Sequence, residues 1–190
     1  MTSRPAAALV AALAVSACIK AQPVVPAPPP DAATMAQLWV EPSDLASRDL
    51  FLGPWGTELA PDPSGSWRFV SRKNQGPMLL KSFSAGYDVQ DARGTEWSVK
   101  LGAEAQAETT ASRLVWALGF HQPPVYFLPS WTLTGSDKPG VKGRGRFRPD
   151  VPALDNVGNW GWHENPFVGS APYRGLLVMM VMLNLSLIHI

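Results

Sequence analysis

The sequence predicts an α+β fold: a small antiparallel sheet with one helix packed on it, followed by the first helix of a second unit that the chain does not complete. Three observations carry this expectation. Short segments of period-two alternation fall between residues 67 and 101. The stretch from Ala103 to Leu118 has apolar residues at helical spacing. Tyr173 to Asn184 (YRGLLVMMVMLN) is apolar all round, as expected for a helix buried in a larger body.

The chain opens with Arg4, an apolar run from Ala6 to Val15, and the small residues Ser16 and Ala17 before Cys18. This is the three-part layout of an export signal, and its apolar run is well short of the roughly 20 residues that span a bilayer. Residues 1–17 therefore read as a signal peptide. Val15, Ser16, Ala17 and Cys18 resemble the lipobox of bacterial lipoproteins, in which the cysteine is acylated and becomes the first mature residue. That resemblance implies lipidation at Cys18, membrane attachment through the lipid, and, with Ile19 next, sorting to the outer membrane of the cell envelope. Cys18 is the chain's one cysteine, so no intrachain disulfide is possible.

From Ile19 to Ala33 the sequence IKAQPVVPAPPPDAA favours an extended polyproline spacer, so residues 18–35 read as a linker and folding is expected to begin near Met35. Trp67 to Ser71 (WRFVS) reads as the first strand. Tyr87 to Asp91 and Glu96 to Leu101 (EWSVKL) follow as a hairpin around the turn ARGT. Alternation in EWSVKL puts Trp97, Val99 and Leu101 on one face, and Glu96, Ser98 and Lys100 on the other. Gly102 ends that strand, and Gly119 ends the helix after it. Val125 to Leu128 and Trp131 to Thr134 read as strands interrupted by Pro129, while the basic stretch KPGVKGRGRFRP reads as a solvated loop.

Charged residues make up 16% of the chain and hydrophobic residues 46%, which excludes a wholly disordered protein. Sixteen Lys and Arg stand against fifteen Asp and Glu without a basic block, so no nucleic-acid partner is expected. No G-x-S-x-G elbow is present, and no cysteine remains as a nucleophile after lipidation. His163 and Glu164 with His121 lack an HExxH spacing, so no metal site is expected from the protein's own ligands.

Chemistry centres on Lys100. A lysine late in a strand, followed by a helix that carries a glutamate, is how kinase-like folds hold a lysine against nucleotide phosphates. Glu108 lies on the flank of the helix's apolar stripe and is the expected partner, whereas Glu104 is too near the helix start. Ser98 shares the lysine's face and is expected to line the same cleft. In RKNQGPMLLKSFSAG, between the first two strands, Gly76, Ser82, Ser84 and Gly86 are candidate donors to phosphate. Trp160 and Trp162 in GNWGWHEN offer a different possibility, a platform for stacking envelope glycan, with burial in a core as the competing reading.

The segments EWSVKLG, ETTASRLVWALG, WGWHENPF and YRGLLVMMVMLN resemble a largely uncharacterised family of exported bacterial lipoproteins. Its pattern reads EW-x-VKLG, E-x-x-ASRL-x-WA-x-G, W-x-WxxNPF and Y-x-GL-x-VMM-x-LLNNWD, and the resemblance spans about Arg48 to Asn184. That family is in turn similar to atypical kinases such as the persistence-toxin and secretory-pathway kinases. The resemblance implies a kinase-like N-lobe over residues 36–135, and a connection with the start of a C-lobe over 136–184. It further implies ATP and Mg2+ as cofactors, and an envelope-exposed phosphotransferase or degenerate nucleotide binder. The family's catalytic loop would follow the last helix, so no catalytic base is expected in this chain. Leu185 to Ile190 (LSLIHI) is the translation of CTGTCTCTTATACACATC, a sequencing adapter, and is read as foreign, with the natural sequence continuing beyond Asn184.

Overall fold

The computed structural model describes residues 31–72, 86–154, 161 and 163–183. These form an α+β fold with strands β1 (Ser66–Arg72), β2 (Gly86–Gln90), β3 (Glu96–Leu101), β4 (Tyr126–Leu128), β5 (Trp131–Thr134), β6 (Gly140–Lys142) and β7 (Gly145–Pro149). The helices are α1 (Ala32–Leu38), α2 (Glu104–Ala117) and α3 (Ala171–Leu183).

All seven strands join one sheet in the order β4-β7-β3-β2-β1-β5-β6. The expectation of an antiparallel sheet is corrected at one place: β1 and β5 run parallel, with Ser66, Trp67 and Arg68 beside Thr132, Leu133 and Thr134. Every other described pairing is antiparallel.

The sheet curls around an aromatic core. Strands β7 and β5 are four places apart, which in a flat sheet would separate them by about 19 Å. Yet the rings of Phe147 and Trp131 lie 5.4 Å apart, and Trp67 sits 4.7 Å from Phe147. Trp67, Val89, Trp97, Val99, Trp131, Leu133 and Phe147 fill this interior and are essentially inaccessible to water. Period-two alternation therefore sends Trp97 and Val99 inward, and Ser98 and Lys100 to the outer face, as the sequence predicts.

The outer face of β3, β7 and β4 carries α2. Below α2 a second apolar cluster of Val115, Phe120, Phe167 and Leu176 ties in α1 and α3 through Met35, Leu38, Trp39 and Tyr173. The C-terminal half of α2 is fixed by two arginines. Arg113 donates to the Val125 carbonyl and lies over the Tyr126 ring, while Arg48 donates to the Trp116 carbonyl and stacks 4.9 Å above the Trp116 ring.

Three further expectations are corrected. Folding begins earlier than Met35, because Asp31 caps α1 by accepting from the Thr34 amide at 2.7 Å. The stretch KPGVKGRGRFRP is not a solvated loop but supplies β6 and β7, and Phe147 is fully buried. Both strands lie beyond residue 135 and belong to the same sheet, so the expected boundary there falls inside the sheet. Helix α3 forms where expected; Leu176 is its one buried residue, and Val181 is 83% and Met182 72% exposed, so it has only part of a cover.

Candidate functional site

Lys100 stands near the end of β3 on the face that receives α2. Its ammonium is bound by Glu108 Oε1 and lies 3.1 Å from Glu104 Oε2. Glu104 and Glu108 are four residues apart, so a single helical face presents both carboxylates to one lysine. Glu104, set aside from sequence as too near the helix start, is therefore a partner. The Gly102 turn between β3 and α2 is short enough to fold the helix back over the strand it follows.

Burial works against the charge on Lys100, but hydrogen bonds and attraction from Glu108 and Glu104 outweigh it and raise its pKa above the ordinary 10.5. Glu108 uses its second oxygen as well: Oε2 lies 3.2 Å from Arg146 Nε. Register explains the proximity, since Lys100 pairs with Arg146 across β3 and β7, and Ser98 pairs with Arg148. The outer face of this strand pair thus carries three cations. Arg148 is the most affected. Burial, then repulsion from Arg146, lowers its pKa to about 10 despite the attraction of Glu108.

Arg146 and Arg148 were missed in the sequence because Arg-Phe-Arg between glycine and proline reads as a polar loop. Its alternation is nonetheless that of a strand with Phe147 inward, and this was the available signal.

Gly86 stands directly across from Lys100 on β2, and Asp88 across from Ser98. Two of the predicted residues, Gly86 and Ser98, therefore share the lysine's neighbourhood in the sheet. Asp88 accepts from the Ser71 hydroxyl at 2.7 Å. Gly76, Ser82, Ser84, Trp160, Trp162, Cys18 and the LSLIHI segment lie outside the described residues.

His121 donates its backbone N–H to Leu38, and Glu164 pairs through its backbone with Gly161. Among the described residues no group of three or more His, Cys, Asp or Glu side chains converges. Two shallow hollows lie apart from the lysine: one is lined by Leu59, Arg93, Trp97 and Pro149 among others, the second by Ala107, Ala111 and Leu183. No helix among the described residues is long and apolar enough to cross a membrane.

Chemically, the cluster is a buried-edge network in which a lysine is held charged and oriented by a helix carboxylate, with two guanidinium groups alongside. Comparisons with known protein families, with curated proteins and with solved structures gave no match to this chain.

Proposed function

We propose that this chain is part of a lipid-anchored, envelope-exposed protein with a kinase-like phosphotransferase or degenerate nucleotide-binding function. The supporting observation is the ion pair between Lys100 on β3 and Glu108 on the helix that follows it. A strand lysine held by a helical glutamate keeps its charge and its direction, which is what contact with nucleotide phosphates requires. Gly86 pairs with Lys100 from the adjacent strand.

In this reading Lys100 is the phosphate-contacting group and Glu108 the residue that positions it. ATP would be the ligand and Mg2+ its counter-ion. Anchoring would come from a lipid on Cys18.

Titration of the folded chain with ATP and Mg2+ by calorimetry tests the nucleotide half. Lys100→Ala is expected to weaken binding by about tenfold or more, and Glu108→Gln to weaken it less, because the lysine remains. Equal affinity in the parent and Lys100→Ala would remove the basis for the reading. For the anchor, labelled palmitate should enter the parent but not Cys18→Ser, and labelling that survives the substitution would exclude lipidation there.

A further inference from the structure

The second arginine of β7 is not accounted for by the lysine–glutamate pair. Lys100 and Arg146 face each other across β3 and β7, and Arg148 comes next on the same face opposite Ser98. Like charges at opposed positions of a sheet repel, so such a ladder requires compensation. The carboxylates within reach are largely engaged. Glu108 gives one oxygen to Lys100 and the other to Arg146, and Glu104 reaches Lys100. Asp88, beyond Ser98 on β2, holds the Ser71 hydroxyl.

Arg148 Nε is buried and has no hydrogen-bond acceptor among the described residues. Arg146 Nε, although close to Glu108, likewise has no acceptor in hydrogen-bonding geometry. Arg148 as a residue is half-buried. A buried guanidinium nitrogen short of an acceptor is costly, and an anion with several oxygens is the chemistry that removes the cost. The planar fork of arginine matches phosphoryl oxygens in pairs, which a neutral glycan cannot replace.

We propose that Arg148, with Arg146 and Lys100, forms an anion subsite on the outer face of β7 and β3 that takes the phosphoryl oxygens of a polyphosphate tail. This rests on the nucleotide reading above and extends it: the tail is gripped from β7 as well as from the lysine. The phosphoryl groups could come from inorganic polyphosphate or from a nucleotide, and the two sources are separable by experiment.

The test is calorimetric titration of the full chain, at low salt, with inorganic tripolyphosphate and separately with ATP. Parent, Arg148→Gln, Arg148→Lys and Lys100→Ala are compared, with folding checked by circular dichroism. Arg148→Gln should weaken both ligands by about tenfold, and Arg148→Lys by less, since charge is kept and the fork is lost. Unchanged affinity in Arg148→Gln, with loss in Lys100→Ala, overturns the subsite and leaves the nucleotide reading standing. Binding of tripolyphosphate that depends on Arg148, without binding of ATP, supports the subsite and removes the nucleotide. Failure of the folded parent to bind either ligand overturns both. If Arg148→Gln does not fold, Arg148→Lys decides, and its equality with the parent counts against the subsite.

Discussion

Lys100 and Arg148 are two cations on one sheet face whose protonation the fold treats in opposite ways. Glu108 and Glu104 outweigh burial at Lys100 and raise its pKa, so the folded chain holds that proton more tightly than the unfolded chain does. Its stabilising contribution is therefore complete below pH 10.5 and is lost as pH climbs through the raised folded value. At Arg148 burial dominates and the pKa falls to about 10, so its charge opposes folding below that pH and the penalty lifts above it. The prediction concerns the lysine. In urea denaturation the parent should exceed Lys100→Met in stability by on the order of 1 kcal/mol near neutral pH, a modest figure because solvent screens the pair. That advantage should shrink by about pH 12, while Arg148 titrates in both proteins and largely cancels from the difference. An advantage that grows above pH 10.5 would show that the carboxylates do not hold the charge.

At the level of elements, β7 is held by an inward glycine. A methyl group built on Gly145 would sit 2.9 Å from the Phe147 ring, 3.0 Å from Trp131 Nε1 and 3.2 Å from Val99. All three belong to rigid core side chains, so Gly145→Ala should cost about 1–3 kcal/mol in thermal or urea denaturation. Gly143→Ala, with nothing within 4 Å, should be close to neutral and serves as the control. Equal stability of the two variants would mean that the aromatic interior has slack. This strand also marks where sequence reading succeeds and where it stops. Glu96–Leu101 and Trp131–Thr134 carry aromatic and branched residues in strict alternation, and both strands form over those same residues. In β7 the outward positions are arginines, one of them beside Glu108 of α2, so alternation looks like solvent exposure. The Lys100 to Glu108 pair was legible because strand period and helix period each fix a side. The contribution of Arg146 and Arg148 was not, because it arises from register between strands far apart in sequence.

Across the whole molecule, α2 lies between the outer face of the sheet and the second apolar cluster. Its outer neighbours are polar at the β3–β7 face and apolar around Phe120, Phe167 and Leu176. The sequence gives the apolar character of α3 but not its surroundings, since periodicity cannot say which faces find a partner. Leu177, Val178, Val181 and Met182 remain exposed. The parallel pairing of β1 with β5 has a consequence in time. Thr134 reaches back to the Trp67 carbonyl across 67 residues, and β1 has β2 on one side and β5 on the other. During synthesis, one edge of β1 therefore stays open until residues 131–134 have emerged. Trp131 and Leu133 arrive with that same strand, so the nascent hairpins display Trp67 and Trp97 to water through the making of α2 and β4. A chain stalled before Trp131 would keep an open-edged sheet, since closure of the curl needs the strand that Trp131 begins.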